Sequence, residues 1–224
     1  MKPNKKAVVF DLDGTVLDTI ADIAAAVNRA LVAFGFSERT VEEVQGFLGN
    51  GSLMLIKRAT GCFDNEDLCL NVRARFRQEY EKDMCNLTKP YEGMCGLLSA
   101  LSQKGIKVAV VTNKDHRCAE PMIKHYFGET VHICKGVGKD NERKPNPENT
   151  LWALSQLGIT PDEAVFVGDG MADLQVSQNA QIDFVPVGYG YTSPEKLFSE
   201  CGITPAMDVP ALAKALWDYC GFEN

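Results

Sequence analysis

The chain reads as an α/β protein whose parallel-sheet core carries an inserted all-helical segment, and three observations predict this. Short, continuous apolar runs, AVVF (7–10), VAVVT (108–112), AVFV (164–167) and IDFVPV (182–187), lack the alternation of half-exposed strands and read as strands buried on both faces. Helical patterns separate the later runs, as in repeated βαβ units. Between 19 and 86 there is no convincing strand, and apolar residues recur at helical spacing.

Taken in order, the first strand stops abruptly at Asp11. Ile20, Ile23, Ala24, Val27, Leu31 and Phe34 then recur at three and four, the stripe of an amphipathic helix. Leu53 to Ile56 and the charged run RARFRQEYEKDM (73–84) also read as helical, the latter as a solvated face. Strand and helix alternation resumes near Tyr91, with a weaker strand at VHIC (131–134) and helices expected over 116–127, 147–157, 171–180 and 211–219. Pro147 and Pro161 stand where a helix or turn starts, and Gly105 and Gly158 where a helix stops. The expected domains are a core of 1–17 and 88–224 and a helical insert of 18–87.

Composition excludes several classes. A chain of 224 residues, 45% apolar and 24% charged, buries a sizeable core. A formal charge of −7 argues against a nucleic-acid partner. No run approaches the roughly 18 apolar residues of a membrane span, and the first apolar run is cut by Asp11, so no signal peptide is expected and the protein should be cytoplasmic. Eight cysteines at irregular spacing, with no CxxC pair, predict free, buried thiols rather than disulfides or zinc ligands. His116, His125 and His132 show no ligand spacing and read as surface or packing residues.

Ligands of parallel sheets bind beyond the carboxyl ends of the strands. There the sequence places Asp11 and Asp13 after the first strand, Thr112-Asn113-Lys114 after VAVV, and Gly168-Asp169 after AVFV, with Asp173 on the next helix. Lys144 sits one strand earlier, just before a helix. Asp11, Asp13 and Asp169 are hard oxygen ligands suited to Mg²⁺, which would relieve their mutual repulsion. Lys144 and Thr112 are donors suited to phosphoryl oxygens, and a carboxylate so placed can attack phosphorus in line.

D-x-D-G-T at 11–15, the strand-end Thr112, Lys144 before Pro145, and G-D-x-x-x-D at 168–173 resemble, in order, the four motifs of the haloacid dehalogenase-like superfamily. The resemblance implies a Rossmann-like core with a C1-type helical cap. It implies Asp11 as nucleophile, Asp13 as general acid and base, and Mg²⁺ held by Asp11, Asp13 and Asp169 with Asp173 supporting. Thr112, Asn113 and Lys144 would bind the phosphoryl group; Gly49, Asn50 and Gly51 of the insert are expected to reach the substrate, the two glycines reading equally as simple helix breaks. The dehalogenases of the superfamily lack the second aspartate, the phosphonatases carry alanine there, and the mutases usually have valine where Thr15 stands. A phosphatase remains. FLGNGS (47–52), TKPYEGM (88–94) and GYGYTSPE (188–195) resemble the phosphoglycolate phosphatase-like branch, although Gly170 replaces a serine usual there. The implied activity is Mg²⁺-dependent hydrolysis of a small phosphate monoester, phosphoglycolate-like first, by a monomer or homodimer. A nucleotidase, an inorganic pyrophosphatase, a sugar phosphomutase and a non-catalytic phosphate-binding protein stay open. A receiver domain, the other scaffold with an aspartate, threonine and lysine at strand ends, has no helical insert and is about half as long.

Overall fold

In the computed structural model, which describes residues 4–139 and 142–222, Ala7–Phe10 forms β1 with every side chain buried. The chain divides into two compact units, Met1–Leu17 with Pro90–Asn224, and Asp18–Lys89. It crosses between them in a two-stranded ribbon of β2 (Leu17–Asp18) and β3 (Lys89–Pro90).

The second unit is helical: α1 (Ile20–Ala33), α2 (Val41–Gly46), α3 (Gly51–Thr60) and α4 (Glu66–Asp83). The expected stripe on α1 is buried at Ile23, Ala24, Val27 and Leu31, but Phe34 caps the helix and is 40% exposed. On α4, Cys69, Val72, Phe76 and Tyr80 form the buried face. Between them Glu79, itself buried, pairs with Arg29 at 3.0 Å and Arg75 at 2.9 Å. Asp22, buried in the first turn of α1, accepts the main-chain N–H groups of Leu87 at 2.9 Å and Thr88 at 2.8 Å. A single carboxylate thus staples the end of the insert to its beginning.

The first unit continues with α5 (Met94–Gln103), β4 (Lys107–Asp115), α6 (His116–Phe127), β5 (Ile133–Val137), α7 (Glu148–Leu157), β6 (Ala164–Gly168), α8 (Met171–Asn179), β7 (Asp183–Pro186), α9 (Pro194–Cys201) and α10 (Val209–Cys220). Among the described residues the sheet has five strands in the order β5-β4-β1-β6-β7, every pair parallel. This is the Rossmann-like arrangement expected, and it explains the unbroken apolar strands: both faces are covered. Ala7, Val9, Ala109, Val111, Ala164 and Phe166 turn to one face and pack with Ala153, Leu154, Leu174 and Val176 of α7 and α8.

Two expectations shift, and one holds. β5 lies at Ile133–Val137 rather than 131–134, because pairing of Ala109 with Ile133, not hydrophobicity, sets where its ladder runs. The eight thiols are free, but only Cys69, Cys118 and Cys220 are buried; Cys95 is exposed and the others are intermediate. His116 and His132 do pack: their Nδ1 atoms accept the N–H groups of Gly136 at 3.3 Å and Val108 at 3.2 Å.

Candidate active site

The register of the sheet assembles the site. Phe10 pairs with Val110 on one side and Val167 on the other, so Asp11 emerges beside the ends of β4 and β6. The Asp11 N–H still donates to Val167 O at 2.9 Å, which fixes the start of the loop. On β4 the register breaks between Val111 and Asp115. Such a break re-aims side chains, and the residues within it are Thr112, Asn113 and Lys114.

Oxygens of Asp11, Asp169 and Asp173 lie within 4.8 Å of one another, the one such acidic cluster among the described residues. Lys144 faces it, buried, with Nζ 2.7 Å from Asp11 Oδ1, 2.6 Å from Asp173 Oδ1 and 3.1 Å from Val111 O. The ammonium also lies 5.4 Å from the centre of the Phe166 ring. Its approach to Asp11 Oδ1 is outside hydrogen-bonding angles, so that buried oxygen has no well-formed hydrogen bond. Asp173 is held at both ends, since its Oδ2 accepts the Gly170 N–H at 2.9 Å and so caps α8.

Asp169 is oriented by Thr15 and by the GYGYTSPE stretch, both quoted from the sequence as motifs but given no contact with it there. Thr15 Oγ1 donates to its Oδ1 at 3.1 Å, and the Tyr191 N–H to its Oδ2 at 2.7 Å. The Tyr189 hydroxyl donates to Thr15 O at 3.1 Å, and burial pushes that phenol above its usual range, so it stays a donor. The two glycines on either side are sterically required. A Cβ at Gly190 would lie 2.4 Å from Asp169 Cβ and Gly14 O, and one at Gly14 would lie 2.5 Å from Asp169 Oδ2.

Three clustered carboxylates with one ammonium leave an excess of two negative charges in a buried place. That excess acts on each acid in turn. Burial, then Asp173, raises Asp11 to about 6 despite Lys144. Burial, then Asp173 and Asp11, raises Asp169 to about 8. Burial opposes charge on Lys144, but Asp11 and Asp173 outweigh it and hold the ammonium above the ordinary lysine range. Such a donor set, all hard oxygen and short of two positive charges, could hold a divalent cation.

The other expected site residues are placed differently. Asp13 is outside the acidic cluster, and its Oδ1 pairs with Lys114 Nζ at 2.7 Å. Asp13 was expected among the metal-binding carboxylates, but the turn after β1 carries its side chain toward β4 instead. Asn113 spends its amide on the main chain of Lys144: Oδ1 accepts the N–H at 2.7 Å and Nδ2 donates to the carbonyl at 3.2 Å. That amide therefore positions the lysine. Thr112 is buried and its Oγ1 accepts the Lys114 N–H at 3.2 Å, an interaction that leaves the hydroxyl proton to donate. Gly49, Asn50 and Gly51 stand in the helical unit, where both glycines have left-handed φ, +102° and +81°. Asn50 Oδ1 accepts from Arg58 at 2.7 Å, and the same guanidinium holds Phe47 O at 2.8 Å.

Fold and site together place the protein among α/β enzymes that gather acids and a lysine at the carboxyl edge of a parallel sheet. Its family follows from comparison: the haloacid dehalogenase-like hydrolase profile matches residues 8–187, and the chain belongs to that family. It is 32% identical over 206 residues to the N-acetylmuramic acid 6-phosphate phosphatase of Pseudomonas aeruginosa, covering 92% of this chain and 91% of that one. It is also 32% identical to the phosphoglycolate phosphatase of Pseudomonas putida, over 92% of this chain and 78% of that one. A crystal structure from Lactobacillus delbrueckii subsp. bulgaricus, provisionally assigned as a phosphoglycolate phosphatase, superposes with a TM-score of 0.88. That pair is 28% identical, over 95% of this chain and 98% of the other. Among the described residues no helix is long and apolar enough to cross a membrane.

Proposed function

We propose that the protein is a Mg²⁺-dependent phosphatase of the cytoplasm that hydrolyses a small phosphorylated metabolite, phosphoglycolate first, through an aspartyl-phosphate on Asp11. The observation that carries the reading is the buried cluster of Asp11, Asp169 and Asp173 against Lys144, with Asp11 Oδ1 lacking a well-formed hydrogen bond. A carboxylate can be a nucleophile toward a phosphate dianion only where charge is neutralised. Mg²⁺, when bound by Asp11 and Asp169 with Asp173 beside them, supplies that neutralisation. The chain's own residues do the rest. Lys144 draws the phosphoryl oxygens in, and the Thr112 hydroxyl donates to one of them. Asp11 attacks phosphorus, the ester P–O bond breaks, and Asp13 gives the departing oxygen its proton. Asp13 then takes a proton from water as the water attacks phosphorus, and the P–O bond to Asp11 breaks. Asp11 returns as carboxylate, inorganic phosphate leaves, and Asp13 again carries its proton.

Relatives named for phosphoglycolate and for N-acetylmuramic acid 6-phosphate share the same identity with this chain. The second name supports a sugar phosphate as the alternative substrate. In either case the helical insert acts as a cap that selects the substrate, and the core does the chemistry. The test is phosphate release across phosphoglycolate, N-acetylmuramic acid 6-phosphate, other sugar phosphates, nucleotides and pyrophosphate, with and without Mg²⁺. Phosphoglycolate should lead and Asp11→Asn should abolish turnover in a folded protein. More than a few per cent of wild-type rate in that variant would overturn the covalent route.

A further inference from the structure

We infer that Lys114 is a positioning residue for leaving-group protonation, holding the Asp13 carboxyl group in the orientation from which its proton is delivered. The inference rests on the phosphatase reading above. The site contains two buried ammonium groups, and they serve different acids. Lys144 contacts Asp11 and Asp173, while Lys114 contacts Asp13 at 2.7 Å. The Lys114 side chain is 7% exposed and that of Asp13 is 22% exposed. A lysine so buried gives up both hydration and rotamer freedom, and it pairs with the acid assigned to proton transfer.

Both ends of the pair are anchored. On the Lys114 side, its N–H donates to Thr112 Oγ1 at 3.2 Å, and Asp115 caps α6 through the Arg117 N–H at 3.2 Å. On the Asp13 side, the turn is closed by Gly14 N–H to Leu17 O at 2.9 Å, and Asp13 forms a bridge with Leu17. An aspartate on a fixed main chain still samples several staggered rotamers. A general acid must keep its oxygen within hydrogen-bond reach of the departing atom. Tying Oδ1 to a fixed ammonium removes that freedom and holds the carboxyl group where it can deliver a proton to the leaving oxygen and later accept one from water. No bond forms or breaks at Lys114; its effect is transmitted through Asp13.

Two aryl esters separate this role from a merely structural ion pair. p-Nitrophenolate leaves with little help from an acid, whereas phenolate needs a proton. Steady-state rates should be measured with Mg²⁺ on p-nitrophenyl phosphate and phenyl phosphate for wild type, Lys114→Met, Lys114→Arg, Asp13→Asn and the Lys114→Met/Asp13→Asn double variant. We expect Lys114→Met to lose about tenfold or more in kcat on phenyl phosphate, a part of the roughly 10²–10⁴-fold that acid catalysis supplies, and several-fold less on p-nitrophenyl phosphate. Lys114→Arg should recover most of the phenyl phosphate rate. In the Asp13→Asn background Lys114→Met should cost about twofold or less, because its target is gone. Should Lys114→Met fail to fold, Lys114→Gln, which keeps a donor but no charge, must show the same split between the esters. Equal losses on both esters, or full additivity with Asp13→Asn, would overturn the role of Lys114 alone. Wild type that releases no phosphate from either ester, or Asp13→Asn that loses equally on both, would overturn the underlying reading and this inference with it.

Discussion

Replacing Asp169 with asparagine should make the metal-free protein more stable above neutral pH. Asp169 is 4% exposed, and burial, followed by Asp173 and Asp11, raises its carboxyl from 3.8 to about 8. Between those values the folded protein keeps a proton that the unfolded chain has released. Unfolding therefore sheds protons, and stability falls as pH rises, the reverse of a salt-bridged aspartate. At 1.36 kcal/mol per pKa unit the gap amounts to about 6 kcal/mol, an upper bound because the site can relax by admitting water. Asp11, raised to about 6, adds in the same direction. Asparagine removes the charge and can keep both contacts, its Oδ1 accepting the Tyr191 N–H and its Nδ2 donating to Thr15 Oγ1. With half of the upper bound, and roughly 2–4 °C per kcal/mol for a chain of this size, the metal-free wild type should melt about 6–12 °C below Asp169→Asn at pH 8.5. The two curves should converge toward pH 4. Thermal unfolding followed by circular dichroism in EDTA gives the comparison, and added Mg²⁺ should raise wild type while leaving the variant unmoved. Melting curves that run parallel from pH 4 to 9 would refute the charge argument.

Gly190→Ala places a Cβ 2.4 Å from Asp169 Cβ and must displace the loop that donates to Asp169. The Mg²⁺ concentration for half-maximal rate should rise about tenfold or more, and an unchanged Mg²⁺ titration would show that the loop only packs. Asn50→Trp frees Arg58 from its 2.7 Å contact and fills the loop between α2 and α3. The ranking of substrates should change while p-nitrophenyl phosphate hydrolysis and its Mg²⁺ dependence change little; an unaltered ranking would mean that this loop is structural.

Much of the core could be read from the chain because its strands are buried on both faces and so appear as unbroken apolar runs. Asp11 and Asp169 stood out for the related reason that acids at the ends of such runs have no place in a core, and Asp173 through its place in G-D-x-x-x-D. What escaped depends on contacts across long stretches of chain. The bond from Thr15 to Asp169 requires the pairing of β1 with β6, and that from Tyr191 requires the path of the loop after β7, neither of which a local pattern encodes. Lys114 was visible as a strand-end lysine, but its pairing with Asp13 follows from the register break in β4. The short helix α2 is a different matter. Thr40-x-x-Glu43 is a readable capping box, and both reciprocal bonds form, at 3.2 Å and 2.8 Å, yet the helix has too few residues to show a periodic stripe.

The Asp22 staple bears on how the sheet can be assembled at all. β1 is central, and its partners are remote: Ala7 pairs with Lys107 on one side and Ala164 on the other. Closing a loop of disordered chain costs entropy that grows with the logarithm of its length. A segment whose own start and end are already clasped, as Asp22 clasps Leu87 and Thr88, counts toward that loop as only a few residues. If the helices form first, the nascent chain meets β4 as though most of Asp18–Lys89 had been spliced out. The same clasp makes the insert a cassette. Another helical module with its ends held equally close could be exchanged between Leu17 and Pro90 without lengthening the loop that the sheet must close.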